Sequence, residues 1–143
     1  MRLAYAPYIL RFINPAGTSR GVMTEKPTFI IKVFDENDPS RFGIGECSVF
    51  PGLSPEADGN YGYKLIELLS NMALGQPTDL SRHSSIRFGL EQALQDFAGG
   101  GHHVYFPSAF TEGNMSLQIN GLVWMGDFDQ MLSLIHISEP TRH

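Results

Sequence analysis

Apolar and polar positions alternate along the first third of the chain, and further on the apolar ones recur every three or four residues. In residues 5–14, Tyr8, Leu10 and Phe12 alternate with Ile9, Arg11 and Ile13, the period of an extended strand. Pro7 lacks a backbone donor, so this strand lies at a sheet edge or begins only after that residue. Residues 15–21, where Pro15, Gly17 and Gly21 bracket small polar side chains, read as a loop. A second strand is predicted over 28–35, with Phe29, Ile31 and Val33 on one face and Thr28, Ile30, Lys32 and Phe34 on the other. A polar turn over 35–40 leads to a third strand over 41–48. Connections this short exclude parallel crossovers, so the three strands form an antiparallel meander.

The third strand runs into the feature around which the chain is organised. Gly43 and Gly45 leave alternate positions without side chains, so another backbone or a ligand can approach closely. Pro51-Gly52 and Pro55 then stop the strand in a shaped loop. A rigid sheet feeding an apolar, proline-fixed loop can hold a specificity element over a site, although an ordinary edge strand and turn have the same pattern. Helical spacing follows. Tyr61, Leu65, Leu68, Leu69 and Met72 form one apolar stripe, with Asp58 or Asn60 as cap and Gly75 and Pro77 as terminators. A second helix is predicted over 85–97, with Ile86, Leu90, Ala93, Leu94 and Phe97 on one face and Ser84 or Ser85 as cap. The three glycines 99–101 end it. Two such stripes laid on one face of a meander make an α+β domain.

Past those glycines the pattern changes. Residues 102–106 read as a short extended piece and 107–114 as loop. Residues 116–124 read as a strand ending in the near-continuous apolar run of strands buried on both faces, as in parallel sheets or barrels. Gly126-Asp127 offers a turn and cap before a helical start at Phe128. From Leu132 to Arg142 the chain resembles, residue for residue, the direct translation of a common transposase-type sequencing adapter. A tail of that kind, 132–143, is set aside from the fold like any cloning scar. The natural sequence is then expected to be truncated at about Met131.

Composition narrows the function classes. With 143 residues and a net charge of −5, and without a Lys/Arg cluster, the chain is a poor match for nucleic acid or an anionic membrane. No apolar run approaches the roughly 20 residues of a membrane span. The first seven residues carry one basic side chain and no long apolar stretch, which argues against a signal peptide. Cys47 is the sole cysteine, so no internal disulfide forms, and a reducing cytoplasmic location is expected. Its surroundings offer no activating motif, so it reads as a small buried hydrophobe and not a nucleophile. Glu46 reads as a locally paired strand residue. His102 and His103 are adjacent and suit a chelate poorly. The glycines 99–101 close a helix where a phosphate cradle would open one.

Five segments together, 15–21 (PAGTSRG), 43–47 (GIGEC), 50–55 (FPGLSP), 85–91 (SIRFGLE) and 119–126 (INGLVWMG), resemble the o-succinylbenzoate synthase family of the enolase superfamily. The variety found in Bacteroides-like bacteria is the nearest. The resemblance runs over residues 3–131 and rests on the order and spacing of these segments. It implies an N-terminal capping domain over 1–113, a meander plus helices, followed over 114–131 by the first strand of a truncated (β/α) barrel. It also implies a magnesium-dependent dehydration in menaquinone biosynthesis, making 2-succinylbenzoate from a small-molecule carboxylate. The family's two lysines and three acidic magnesium ligands lie on later barrel strands, so no catalytic residue and no metal ligand is expected in this chain. Its main partner would be its own missing barrel, which alone needs roughly 200 residues or more.

Two loops of the cap lie over the barrel mouth in that family, and they supply the substrate-binding candidates. Arg20 would grip a carboxylate with its planar fork, or else remain a solvated loop residue. Thr18 and Ser19 would bond the substrate or stabilise the turn. Phe50 and Leu53 would form an apolar wall around the substrate or pack between cap and barrel. Asn120 would sit near the end of the first barrel strand, where barrel enzymes build their sites. Two rivals stay open: another enzyme of the superfamily, such as a dipeptide epimerase or an N-acylamino acid racemase, and a stand-alone α+β binding module.

Overall fold

The computed structural model describes residues 1–18 (Thr18 by its backbone), 21–119, 128–129 and 131–132. Three strands, β1 (Arg2–Thr18), β2 (Gly21–Phe34) and β3 (Phe42–Ser48), form a sheet in the order β1-β2-β3. Two helices follow, α1 (Tyr61–Ala73) and α2 (Ser84–Ala98). The meander and both helices stand where the sequence pattern places them, and the fold class is the predicted α+β arrangement.

The first two strands are longer than expected. Residues 15–18 and Gly21 onward are strand, so the predicted loop over 15–21 shrinks to the connection between Thr18 and Gly21. Local composition reads as a turn because it is rich in Pro and Gly, but ladder pairing between neighbours overrides it. Pro7 and Pro15 are tolerated because β1 is an outer strand of the sheet, where a missing donor breaks no ladder bond on the open side. β2 and β3 pair antiparallel, with Thr28 opposite Ser48, Ile30 opposite Glu46, Ile31 opposite Gly45 and Phe34 opposite Phe42. The turn between them is held by side chains: Asp35 Oδ1 accepts from the Asn37 amide at 2.9 Å and Asp38 Oδ1 from the Ser40 amide at 3.2 Å.

By packing, the chain divides into two units, residues 1–11 with 25–106, and residues 12–24 with 107–143. The first unit holds the β2–β3 ladder, both helices and the core. Ile31, Val33 and Cys47 come from one face of the sheet, Tyr61, Leu65, Leu68 and Leu69 from α1, and Ile86, Leu90 and Ala93 from α2. These are the predicted stripes, except that Met72, Leu94 and Phe97 are only partly buried at the margin. Asp96 was not expected on the buried face of α2, yet it is there.

α2 can lie so near β3 because of glycine. A Cβ on Gly43 would collide with the Ala93 carbonyl and the Phe97 amide, and one on Gly45 with the Gly89 carbonyl. The close approach expected at these two glycines is therefore made by a helix backbone.

The capping residues differ from expectation. Asn60 holds the N-cap position of α1 without a side-chain bond, while Asp58 Oδ1 accepts from the Asn60 amide at 2.9 Å. His83, not Ser84 or Ser85, precedes α2, and its side chain caps nothing. α1 ends as predicted: Gly75 takes φ +71° and the Gln76 amide returns to the Asn71 carbonyl at 2.9 Å. After α2 the chain bends through residues 101–106 and forms no strand, contrary to the extended piece expected over 102–106.

In the second unit, residues 108–114 form a turn in which the Glu112 amide donates to the Ser108 carbonyl at 3.0 Å. Residues 116–119 carry no strand, and Leu117 and Ile119 are exposed, so this part of the predicted barrel strand is not formed. A strand needs a neighbour for its backbone groups, and these four residues pair with none among the described residues. The remainder of that strand, 120–124, lies outside the described residues, as do all residues of the 132–143 tail except Leu132. Helix is present at Phe128–Asp129 and Met131–Leu132, where a helical start was expected.

Candidate functional site

Among the described residues, the outer edge of β3 is closed by side chains and not by another strand. Asp96 Oδ2 accepts from the Ile44 amide at 3.0 Å, Gln92 Oε1 accepts from the Glu46 amide at 3.3 Å, and Tyr105 Oη donates to the Ile44 carbonyl at 2.7 Å. Asp96 also receives the His103 amide at 2.8 Å and lies 2.6 Å from His103 Nδ1. His103 takes a positive φ of 58° to reach it. Burial would push the Asp96 carboxyl up, but its bonds from His103 and Ile44 outweigh that and hold it below its ordinary value. The result is a rigid strand whose far end projects the loop after Ser48.

Beside that loop is a cavity of about 480 Å³, lined by Lys26, Glu46, Val49, Glu56, Phe88 and Gln92 together with serine hydroxyls at 48, 54, 84 and 85. Lys26 Nζ is 3.5 Å from Glu46 Oε1 and 4.8 Å from the Phe50 ring centroid. Thr28 Oγ1, buried, bonds Glu46 Oε1 at 3.0 Å and the Cys47 carbonyl oxygen at 3.0 Å. Glu46 is therefore a locally paired strand residue, as expected. Ser85 ties three elements together: its Oγ donates to the Ser48 carbonyl at 2.8 Å and lies 2.8 Å from Tyr61 Oη. Ser48 Oγ and Glu56 Oε2 are buried without a hydrogen-bond partner among the described residues. A smaller, apolar cavity of about 210 Å³ borders the other side of the loop, between Pro27, Phe29, Val49, Pro51 and Tyr61.

Of the sequence-predicted site residues, the structure places two. Phe50 and Leu53 share one tight turn, in which the Leu53 amide donates to the Phe50 carbonyl at 3.0 Å. The Phe50 ring is half-buried under Lys26, whereas Leu53 is 45 % exposed. Thr18 lies at the end of β1 and is described by its backbone alone. Ser19, Arg20 and Asn120 lie outside the described residues. Lys26, Glu56, Gln92 and Asp96 escaped the sequence reading, which had Ser85 only as a candidate helix cap. For Glu56 a signal existed: α2 starts with no acid in its first turn, so a partner for its amides has to come from elsewhere in the chain.

Cys47 is wholly buried, and burial, then the charges of Glu46 and Glu56, push its thiol up to about 12. It is a packing residue. Among the described residues no group of three or more His, Cys, Asp or Glu side chains is placed to hold a metal ion. None of the described residues is arranged to take the magnesium that the resemblance implies. Among the described residues no helix is long and apolar enough to cross a membrane.

No protein-family model matches the chain. It is 32 % identical to the o-succinylbenzoate synthase of Desulfotalea psychrophila over 161 aligned positions, spanning 89 % of this chain and 43 % of that protein. Two solved structures share its fold at 20 % identity. One is an enolase family member from Agrobacterium tumefaciens with homology to dipeptide epimerases (TM-score 0.54, 92 % of this chain, 40 % of that one). The other is a mandelate racemase/muconate lactonizing protein from Herpetosiphon aurantiacus (TM-score 0.51, 67 % of this chain, 29 % of that one). The chain spans less than half the length of each of these proteins. Its meander and paired helices have the capping fold seen in these enolase-family structures, and its sequence is similar to an o-succinylbenzoate synthase over part of that protein's length.

Proposed function

We propose that this chain is the capping part of an o-succinylbenzoate synthase. The reaction is the dehydration of 2-succinyl-6-hydroxy-2,4-cyclohexadiene-1-carboxylate to 2-succinylbenzoate in menaquinone biosynthesis. The observation that carries the reading is the 32 % identity to the Desulfotalea psychrophila enzyme across 89 % of the chain. Residues 1–113 serve as the cap and 114–131 begin a (β/α) barrel. A barrel of that family would supply the lysines and would hold the magnesium, whose charge would stabilise negative charge formed next to the substrate carboxylate.

The work of this chain is to bind, orient and exclude water. Arg20 pairs with a substrate carboxylate, with Thr18 and Ser19 beside it as donors. Phe50 and Leu53 form an apolar wall over the ring and succinyl chain, and Asn120 offers a polar contact at the first barrel strand. Support for the wall is the geometry of the loop: a stiff turn displays an exposed Leu53 beside a ring held by Lys26.

The test is an assay of the complete protein encoded at this locus. Magnesium-dependent formation of 2-succinylbenzoate is the expected result. Absence of that activity together with epimerisation of dipeptides or racemisation of N-acylamino acids would overturn the assignment in favour of another reaction of the superfamily.

A further inference from the structure

The loop between β3 and α1 covers residues 49–60 and contains no regular element. Its internal hydrogen bonds set its shape. The Phe50 amide donates to Ser54 Oγ at 3.0 Å, the Leu53 and Ser54 amides to the Phe50 carbonyl at 3.0 and 2.9 Å, and the Ala57 amide to the Ser54 carbonyl at 3.0 Å. None of these bonds decides where the turn sits on the protein. Position has to come from attachments to other elements, and the first of these is apolar: Val49 is in the core and Ala57 packs against it. Such contacts are non-directional and leave the turn free to tilt.

Besides the Lys26 ammonium over the Phe50 ring, a directional attachment among the described residues is Glu56. Its Oε1 accepts from Ser84 Oγ at 2.5 Å and from the Ser85 amide at 3.2 Å, at the amino end of α2. That end has no side-chain cap of its own and no acid in its first turn, so a carboxylate from the loop satisfies one amide that the helix leaves open, that of Ser85, and meets the positive end of its dipole. α2 is in turn packed backbone to backbone on β3 and bonded to its edge through Gln92 and Asp96. The loop is thereby tied to the closely packed pair of β3 and α2.

We infer that Glu56 is a positioning residue: by capping α2 from the loop, it fixes the turn that carries Phe50 and Leu53. Its second oxygen, Oε2, is buried and makes no hydrogen bond among the described residues, so one oxygen carries the attachment. The consequence for substrate selection rests on the function proposed above; the attachment itself does not.

Two measurements separate these claims. In the 143-residue chain, amide hydrogen exchange is followed in wild type, Glu56→Ala, Glu56→Gln and Ser84→Ala. Glu56→Ala is expected to speed exchange at Leu53, Ser54 and Ser85 about tenfold, the effect of losing roughly 1.4 kcal/mol of local protection, while Ile31 and Leu65 stay protected. Glu56→Gln keeps an acceptor oxygen and is expected to retain wild-type protection; Ser84→Ala, which loses one of two bonds, falls between. Unchanged exchange in Glu56→Ala overturns the inference, and so does equal loss in Glu56→Gln. If Glu56→Ala does not fold, Ser84→Ala decides: faster exchange confined to the loop and Ser85 supports the attachment, and no change refutes it.

In the complete enzyme, Glu56→Ala is expected to raise KM for the succinyl substrate about tenfold with kcat within about twofold, and Glu56→Gln to restore KM. A fall in kcat alone, or no kinetic effect, refutes the role in substrate selection. If wild type itself lacks the activity, the proposed function fails while the exchange result still tests the attachment.

Discussion

Gly45 of β3 and Gly89 of α2 meet backbone to backbone. A Cβ on Gly45 would fall on the Gly89 carbonyl, and a Cβ on Gly89 would lie 2.5 Å from Cys47 Sγ and 2.7 Å from the Glu46 carbonyl oxygen. The contact sets how near the helix comes to the strand, and so whether Asp96 and Gln92 reach the strand edge. Gly45→Ala and Gly89→Ala are each expected to cost about 3 kcal/mol or more, because backbone cannot yield as a side chain can. Gly59→Ala, in open space, is expected to stay within about 0.5 kcal/mol. Urea unfolding of the three variants measures the contrast, and equal stability of Gly45→Ala and Gly59→Ala would contradict it.

Asp96 makes the fold sensitive to acid. Its folded pKa lies below the ordinary 3.8, so the folded state binds the proton less readily than the unfolded chain. The stabilisation is fully present above about pH 4 and is lost as pH falls through the folded pKa. Asp96→Asn is expected to unfold at lower denaturant than wild type at pH 6, by about 1–3 kcal/mol as bonds to the Ile44 and His103 amides weaken. The gap is expected to narrow below pH 4. A gap that stays constant down to pH 2 would show that the carboxylate charge contributes nothing.

At the alkaline end two buried groups act in the opposite sense. Burial raises the Cys47 thiol from 9.0 to about 12 and the Tyr61 phenol from 10.0 to about 12, with the bond to Ser85 opposing the Tyr61 shift. Between the ordinary and the raised value the unfolded chain releases a proton that the folded one keeps, so stability falls as pH rises. Its decline is expected to begin near pH 9 and to steepen above pH 10. Cys47→Ala is expected to remove the onset and Tyr61→Phe the steeper part, both read from unfolding midpoints between pH 8 and 11. Thiol labelling of native Cys47 at pH 8 is expected to be no faster than opening of the core.

The proposed role of Arg20 is testable against a second arginine. Arg41 stacks on the Phe97 ring at 4.9 Å and donates to the Phe97 carbonyl at 3.4 Å, which makes it a structural residue. In the complete enzyme, Arg20→Ala is expected to lower kcat/KM by about 10- to 150-fold, the effect of losing a charge-assisted bond of about 1.5–3 kcal/mol. Arg41→Ala is expected to leave it within a few fold. Equal kinetics of the two variants would remove Arg20 from the site.

The amino-acid sequence by itself determined the α+β class, the antiparallel order of the strands and both helical stripes, because each depends on a period that repeats over neighbouring residues. Tyr61, Leu65, Leu68 and Leu69 are buried as their spacing requires, and Gly43 and Gly45 mark a close approach that alternation already exposes. Only the tertiary structure decided what approaches: the α2 backbone, more than forty positions further along. It also decided the fate of polar residues that no period distinguishes. Asp96 reads as a solvent-facing residue near a helix end, yet its partner is the Ile44 amide, 52 positions away in the chain. Glu56 reads as a loop acid, yet it caps a helix that begins 28 positions later. The strand over 15–18 was hidden for the same reason, since a ladder formed with another segment outweighs the turn preference of Pro15 and Gly17. Local preferences are written in adjacent residues, whereas a buried hydrogen bond is specified only when the fold brings donor and acceptor together.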